Sequence, residues 1–584
     1  MDGVESRPRP SKSANNSKSH ATIRVKTGCR TCRIRKVKCD ETRPACRRCV
    51  TIGRTCDEYG IWSSRTQSPA PFLSQQASSI SLRNIRTSVS GLSDADKRLY
   101  QWFSRRTIAK LAGIFDSAFW GTIVLQTSSR EPAVMHAILA LASVHKNQMT
   151  DAGSVPSRRV SSSLDVQERS TLQHYNKSIV LLRERLALNN TVSAQVALIS
   201  CILYICLEYM RKRFKAGHSH LNHGLNLLSH IIPDLKSEDI IGDARCNKAL
   251  DPMAECLVDT LSQLCYQARS LKGPFNQERQ SGGLRPLGQL PNSFGSLIEA
   301  RNHLDQLLVR AQRLQRCSLA SATSPDVSQA FEMLVIQSCL RNDLISWSRT
   351  FNSLKAKRWT HLSTRESLPF RLLPVYHTMA HIITETSLHP GDELVFDKFI
   401  WHFDMMAESS KEIITAAIPT IAADLSSGHC TTKFSFTADM GLIPPLYYVA
   451  LKCRKPSTRR QAIELISNGL HQEGMWDATL TGAVVSEVMR MEEGDFFEKV
   501  SFSNQLLESK GLAEEQPTPP TMPNDRRLFH VRLQLPDDSL GELAFSGTMR
   551  CPDGTLKPFK KVYDTKARKW AFAGVPWMEE NILK

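Results

Sequence analysis

From residue 93 onward, apolar positions recur at three- and four-residue intervals and break off at clusters of Gly, Pro and Asn, the pattern of successive amphipathic helices. Ser93, with Asp96 three positions on, reads as an N-cap. Glu131 and Pro132 open a helix through Val134, Ile138, Leu141 and Val144, with proline in the tolerated first turn. Residues 172–186 form an amphipathic segment through Ile179, Leu182 and Leu186. Residues 196–207 are apolar on every side. At about 12 residues this run is too short to cross a membrane and suits a buried helix. No stretch reads as transmembrane, so no membrane partner is expected. Strand signals are sparse up to about residue 510, which predicts a large all-α array over 93–510. A Pro/Thr hinge follows at 511–526. In 527–584, alternation at Val531, Leu533 and Leu535 and a Pro552-Asp553-Gly554 turn predict a small β-meander of about 45 residues. The expected fold class is mainly α with a short β-rich C-terminal segment.

Ahead of residue 93 this periodicity is absent. Residues 1–28 are rich in Ser, Asn and Arg and read as a disordered basic arm. Residues 57–92 are rich in Ser, Gln and Pro and read as a linker without leucine heptads. Between them, Cys29, Cys32, Cys39, Cys46, Cys49 and Cys56 are spaced C-x2-C-x6-C-x6-C-x2-C-x6-C, so one C-x2-C-x6-C half is written twice. Thiolates are soft ligands that suit tetrahedral zinc. Six sulfurs complete two four-coordinate ions only if two of them bridge, and the repeat singles out Cys29 and Cys46, which open the two halves. The expected cofactor is therefore two zinc ions. A disulfide framework is the competing explanation. It belongs to secreted chains, whereas this chain opens MDGVESRPRP, without an apolar signal segment.

Charge sharpens the picture. The chain of 584 residues carries a net +18. Residues 1–60 hold fifteen Lys/Arg against six Asp/Glu, so about half the excess lies in a tenth of the length. Charge this local, on a metal-folded module, is an electrostatic footprint for nucleic acid, and double-stranded DNA is the expected partner. Between Cys32 and Cys39 the chain reads Arg33-Ile34-Arg35-Lys36-Val37-Lys38. A short helix turns Ile34 and Val37 inward and leaves four cations outside. The corresponding stretch after Cys49 carries one cation, so the first half is the DNA-facing one.

These residues, GCRTCRIRKVKCDETRPACRRCVTIGRTC over 28–56, resemble the fungal binuclear zinc cluster transcription factors, including Pro44 two positions before the fourth cysteine. The resemblance implies a nuclear, sequence-specific regulator of RNA polymerase II transcription, of a kind that often controls a metabolic or biosynthetic gene set. In that family the lysine four residues after the second cysteine reads a CGG-like triplet. Here that position is Lys36, and its neighbour Arg35 also matches. Lysine and arginine are suitable donors because guanine presents O6 and N7 to the major groove. Arg33, Lys38, Arg47 and Arg48 read as phosphate contacts. RTIAKLAGIFDSAFWGTIVLQTSSREPAVMHAILALASVHK and GLIPPLYYVALKCRKPSTRRQAIELISNGLHQEGMWD resemble the helical regulatory domain of the same family. That domain implies a regulatory region that receives partners or a metabolite, with a coactivator or corepressor as candidate partners. Without a heptad linker, any homodimer contact must come from the helical domain beyond residue 92.

Other constellations carry little. The His-rich run over 216–223 lacks a carboxylate or cysteine to complete a metal site, and Gly217-His218-Ser219-His220 lacks the closing glycine of a nucleophile elbow. No phosphate-cradling loop or catalytic constellation is visible, so no enzyme is expected. MEEGDFFEKVSF, over 491–502, reads as a solvated helix end rather than an activating segment. The rival class is an interaction protein that keeps the cluster as a structural module without reading DNA. The intact cationic face argues against it.

Overall fold

In the computed structural model the described residues are 37, 38, 40, 46–52, 91–115, 117–151, 161–231, 251–272, 291–321, 326–426, 435–468, 471–497, 522–536, 542–551, 554–564 and 569–573. Two compact units emerge: Met1–Pro69 with Ala423–His429, and Ala70–Ala422 with Cys430–Lys584.

The second unit is mainly helical. Ser93 accepts the Asp96 N–H at its side chain and starts the Asp94–Trp102 helix, as its sequence predicts. The Pro132–Asp151 helix buries Val134, Ile138, Leu141 and Val144 against the Ser161–Leu186 helix. In the latter, the buried stripe is not the purely aliphatic one expected. Leu182 is buried but Leu186 is exposed, and Thr171, Tyr175 and Ser178 complete the stripe. Their hydroxyls are all bonded inside: Thr171 to Ser143, Tyr175 to His220, and Ser178 to the Ala133 carbonyl. Small hydroxyl residues let helices approach closely while meeting their own hydrogen-bonding demand.

The apolar run at 196–207 extends to the 20-residue helix Thr191–Met210, capped by the Asn190 side chain at Ser193 N. This corrects the expectation that no stretch qualifies as transmembrane: by length and hydropathy alone this helix does. Its neighbours bury 72% of the apolar window, which makes it a core helix. Gly217, in the antiparallel Phe214–Ile231 helix, sits where a Cβ would lie 2.4 Å from the Tyr209 ring, so only glycine permits this approach. The His-rich run lies on this helix, and His220 faces Tyr175 at 2.8 Å.

Further along, the Leu297–Ser321, Val327–Arg358 and Thr364–Thr386 helices pack on one another around Trp347. Its indole donates to the Ala300 carbonyl at 2.8 Å and stacks on Phe351 and His377.

Two sheets interrupt the helices. One was not expected: β1 (Ser435–Thr437) runs parallel to β2 (His471–Glu473), which pairs antiparallel with β3 (Trp476–Asp477). These strands are two or three residues long, too short to leave a readable alternation. The Glu473 carboxylate accepts the N–H groups of Gly441, Leu442 and Ile443 at 2.8–3.0 Å. It thereby anchors the start of the Ile443–Lys452 helix.

The expected β-meander is present as β4 (Leu528–Gln534), β5 (Leu543–Arg550), β6 (Leu556–Asp564) and β7 (Lys569–Phe572), antiparallel in that order. A hydrogen-bonded turn closes β5 to β6, with Gly554 N–H on the Cys551 carbonyl and Gly554 at φ +80°. The predicted alternation is displaced by a bulge between Phe529 and Arg532, where His530 takes φ +55°. Leu528, Phe529 and Leu533 are buried, while Val531 is only partly so.

The acidic stretch at 491–502 corrects another expectation. The Ala478–Glu493 helix ends there, but Glu492 and Glu493 are 1% and 4% exposed. Glu492 meets Arg454 at 2.8 Å and the fully buried Arg459 at 2.6 Å, and its Oε1 accepts the Leu528 N–H at the start of β4. Arg527 donates to the Glu393 carbonyl and the Asp397 carboxylate, and Lys561 of β6 meets Glu487. The tail sheet is thus tied to the helices by buried charge. The sequence alone could not show that arginines near 454–460 are placed to absorb these carboxylates.

Candidate nucleic-acid interface

In the first unit, the chain forms a four-residue helix, Arg47–Val50, directly after Cys46. Cys46 has extended backbone (φ −69°, ψ 140°), as a residue preceding a helix should, and its side chain is fully buried. The exposed N–H groups of the first turn are met from outside. Asp40 Oδ2 accepts Arg47 N–H at 3.0 Å and Oδ1 accepts Arg48 N–H at 3.3 Å. At the other end, the Thr51 hydroxyl and N–H both reach the Arg47 carbonyl, at 2.7 and 2.8 Å. So short a helix has no interior of its own, and these end bonds supply most of its local order.

The arrangement sets Arg47 and Arg48 side by side in the first turn, both exposed, and Lys38 is exposed as well. Cations that reach water rather than core set a positive surface at this end of the module. Cys49 lies within the same helix. Cys29, Cys32, Cys39 and Cys56, and the cations Arg33, Arg35 and Lys36, lie outside the described residues. Asp40 escaped the sequence reading. Its signal was an acidic residue, next to a cysteine, a few positions before a two-arginine helix start.

The donor set suits zinc. A fully buried thiol at Cys46, in a short segment with few apolar residues, matches a sulfur held by an ion better than one held by packing.

Residues 27–66 match the fungal Zn(2)-Cys(6) binuclear cluster domain, and residues 98–360 match the fungal specific transcription factor domain. The chain belongs to the fungal binuclear zinc cluster family of transcription regulators. Over 570 residues it is 23% identical to the aspercryptin biosynthesis cluster-specific transcription regulator atnN of Emericella nidulans, covering 82% of this chain and 89% of that protein. It is 29% identical over 201 residues to the transcription regulator lscL of Purpureocillium lilacinum, covering 34% of this chain and 47% of that one. Over 46 residues it is 50% identical to the transcription factor lfc1 of Flammulina velutipes, 8% of this chain and 16% of that protein. No solved structure matches the chain. As in other members of the zinc cluster family, the N-terminal module is a zinc-binding DNA-binding domain, and the helical body carries the transcription factor domain.

Proposed function

We propose that this chain is a nuclear regulator of RNA polymerase II transcription that reads a CGG-like triplet through Lys36, assisted by Arg35. The observation that carries this reading is the six-cysteine spacing filled with cations, matched by the family's DNA-binding module. Cys29, Cys32, Cys39, Cys46, Cys49 and Cys56 hold two zinc ions, with Cys29 and Cys46 bridging. Zinc supplies the fold of the module, since so short a segment cannot bury enough apolar surface unaided. Arg33, Lys38, Arg47 and Arg48 contact phosphates and set the register of the module on the duplex. The exposure of Lys38, Arg47 and Arg48 supports this. A biosynthetic gene set is the proposed target, supported by the relative whose name links it to one biosynthesis cluster. The helical body supplies the dimer contact and receives a coactivator or corepressor.

Chelation tests the metal model. Elemental analysis of the purified chain should give two zincs, and chelation should abolish binding to a CGG-containing duplex while the helical body keeps its far-UV dichroism. A single zinc per chain would overturn the bridged arrangement.

A further inference from the structure

A cavity of about 160 Å³ lies within the helical unit. It is bounded by the Pro252–Lys272, Leu297–Ser321, Thr364–Thr386 and Ile443–Lys452 helices and by β4 of the tail sheet. Its lining is aromatic on one side. Tyr447 meets Trp476 edge to face at 5.2 Å between ring centres, and Phe396 meets Tyr448 similarly at 6.5 Å. Such walls favour a flat apolar guest.

Several polar groups at this wall lack a hydrogen-bond partner among the described residues, the Ser270 and Tyr448 hydroxyls and Glu393 Oε2 among them, and two are donors suited to a guest. The indole N–H of Trp476, a residue only 2% exposed, donates to nothing. The half-buried guanidinium of Arg269 makes neither an ion pair nor a hydrogen bond. Other charged groups of the lining are already engaged. Lys452 meets Glu393 at 2.5 Å, Asp392 accepts the Leu394 N–H at 3.0 Å, and Arg316 has an interaction of its own. Burying a donor without an acceptor is costly, so the cavity presents the unpaired Arg269 cation and the orphan Trp476 N–H beside edge-to-face rings. We infer that it binds a small aromatic carboxylic acid, with the ring against Trp476 and Tyr447 and the carboxylate on Arg269. A cavity of about 150 Å³ is known to hold a benzene molecule, so the guest has one ring and a short acid side chain.

The same cavity touches His530 of β4, the non-glycine residue at φ +55°. Left-handed backbone in such a residue is strained and concentrates where ligands or switches act. A guest therefore contacts the tail sheet as well as the helices. The inference deepens the regulatory role proposed above and rests on it for biological consequence, but binding itself is testable without DNA.

The probes are trans-cinnamate and 4-hydroxyphenylacetate, with cinnamamide as the uncharged counterpart, titrated calorimetrically into the full zinc-loaded chain. One site per chain is expected, with cinnamate at least roughly tenfold tighter than cinnamamide, as a charge-assisted contact implies. Arg269→Gln should erase that preference and Arg269→Lys should retain it. Trp476→Phe should weaken both guests. If neither acid binds in the millimolar range, or Arg269→Gln keeps the cinnamate preference at unchanged far-UV dichroism, the inference is overturned. Duplex binding by the same variants is measured separately, so failure of triplet reading and failure of the cavity site give different results.

Discussion

Lys36 and Arg48 carry the same charge class but are expected to act differently, because only a group at a base edge can tell sequences apart. Lys36→Ala should cost roughly 1–3 kcal/mol at a CGG duplex and relax preference at its guanines, with little change in salt slope. Arg48→Ala should weaken specific and random duplexes alike and lower the slope of log K against log salt by about one. Fluorescence anisotropy across a salt series separates the two. Equal losses of Lys36→Ala on both duplexes would make Lys36 a phosphate contact. Asp40 acts on the fold of the module instead. Asp40→Ala strips the acceptor from both Arg47 and Arg48 N–H groups. It should cost about 1 kcal/mol of module stability, by analogy with a lost N-cap. The readout is weaker retention of zinc against a competing chelator, with Asp40→Asn intermediate.

Among elements, the Ala478–Glu493 helix shows how far local reading carries. Its N-terminus was not singled out in the sequence, yet Asp477 caps it by accepting Leu480 N–H at 3.0 Å. Its C-terminal carboxylates looked solvent-facing because charge at a helix end usually is. Arg454 and Arg459, from a turn and helix more than thirty residues earlier, convert that end into a buried junction. Glu492→Ala leaves both guanidiniums buried and the Leu528 N–H without its acceptor. Removing one partner of a buried ion pair costs about 3–5 kcal/mol. The variant should unfold at lower urea and expose the 522–573 sheet to protease first. Unchanged proteolysis of the sheet would show that the junction does not hold it.

At the scale of the whole molecule, two buried histidines make the helical body acid-sensitive. Burial, with smaller contributions from Lys110 and Arg106, lowers the His145 pKa from 6.5 to about 4. Its Nδ1 faces the Thr107 hydroxyl at 2.9 Å and the Trp102 indole at 3.3 Å. Burial likewise brings His136 to about 4, with Lys177 and His174 adding to it. The unfolded chain takes up these protons near pH 6.5 and the folded chain resists until about pH 4. Between those values the unfolded state binds more protons, so stability is full above pH 6.5 and falls with acidification. Urea unfolding between pH 7.5 and 4.5 should show this slope, and His145→Gln should reduce it by about one proton. A slope unchanged by the substitution would remove His145 from the account.

What the sequence determined by itself is whatever local spacing encodes. The cysteine repeat, the clustered cations, the Ser93 cap, the apolar run inside Thr191–Met210 and the turn before β6 depend on neighbours within a few residues, and each was legible. Tertiary structure decided what depends on partners remote in sequence. It placed Asp40 on the backbone of Arg47 and Arg48, and Glu473 on the Ile443–Lys452 helix start. It also gathered Arg269, Tyr447, Trp476 and His530 around one cavity. A carboxylate reads the same in sequence whether water or a buried guanidinium receives it. The difference lies in desolvation and in the arrival of a distant partner, and only the folded chain supplies both.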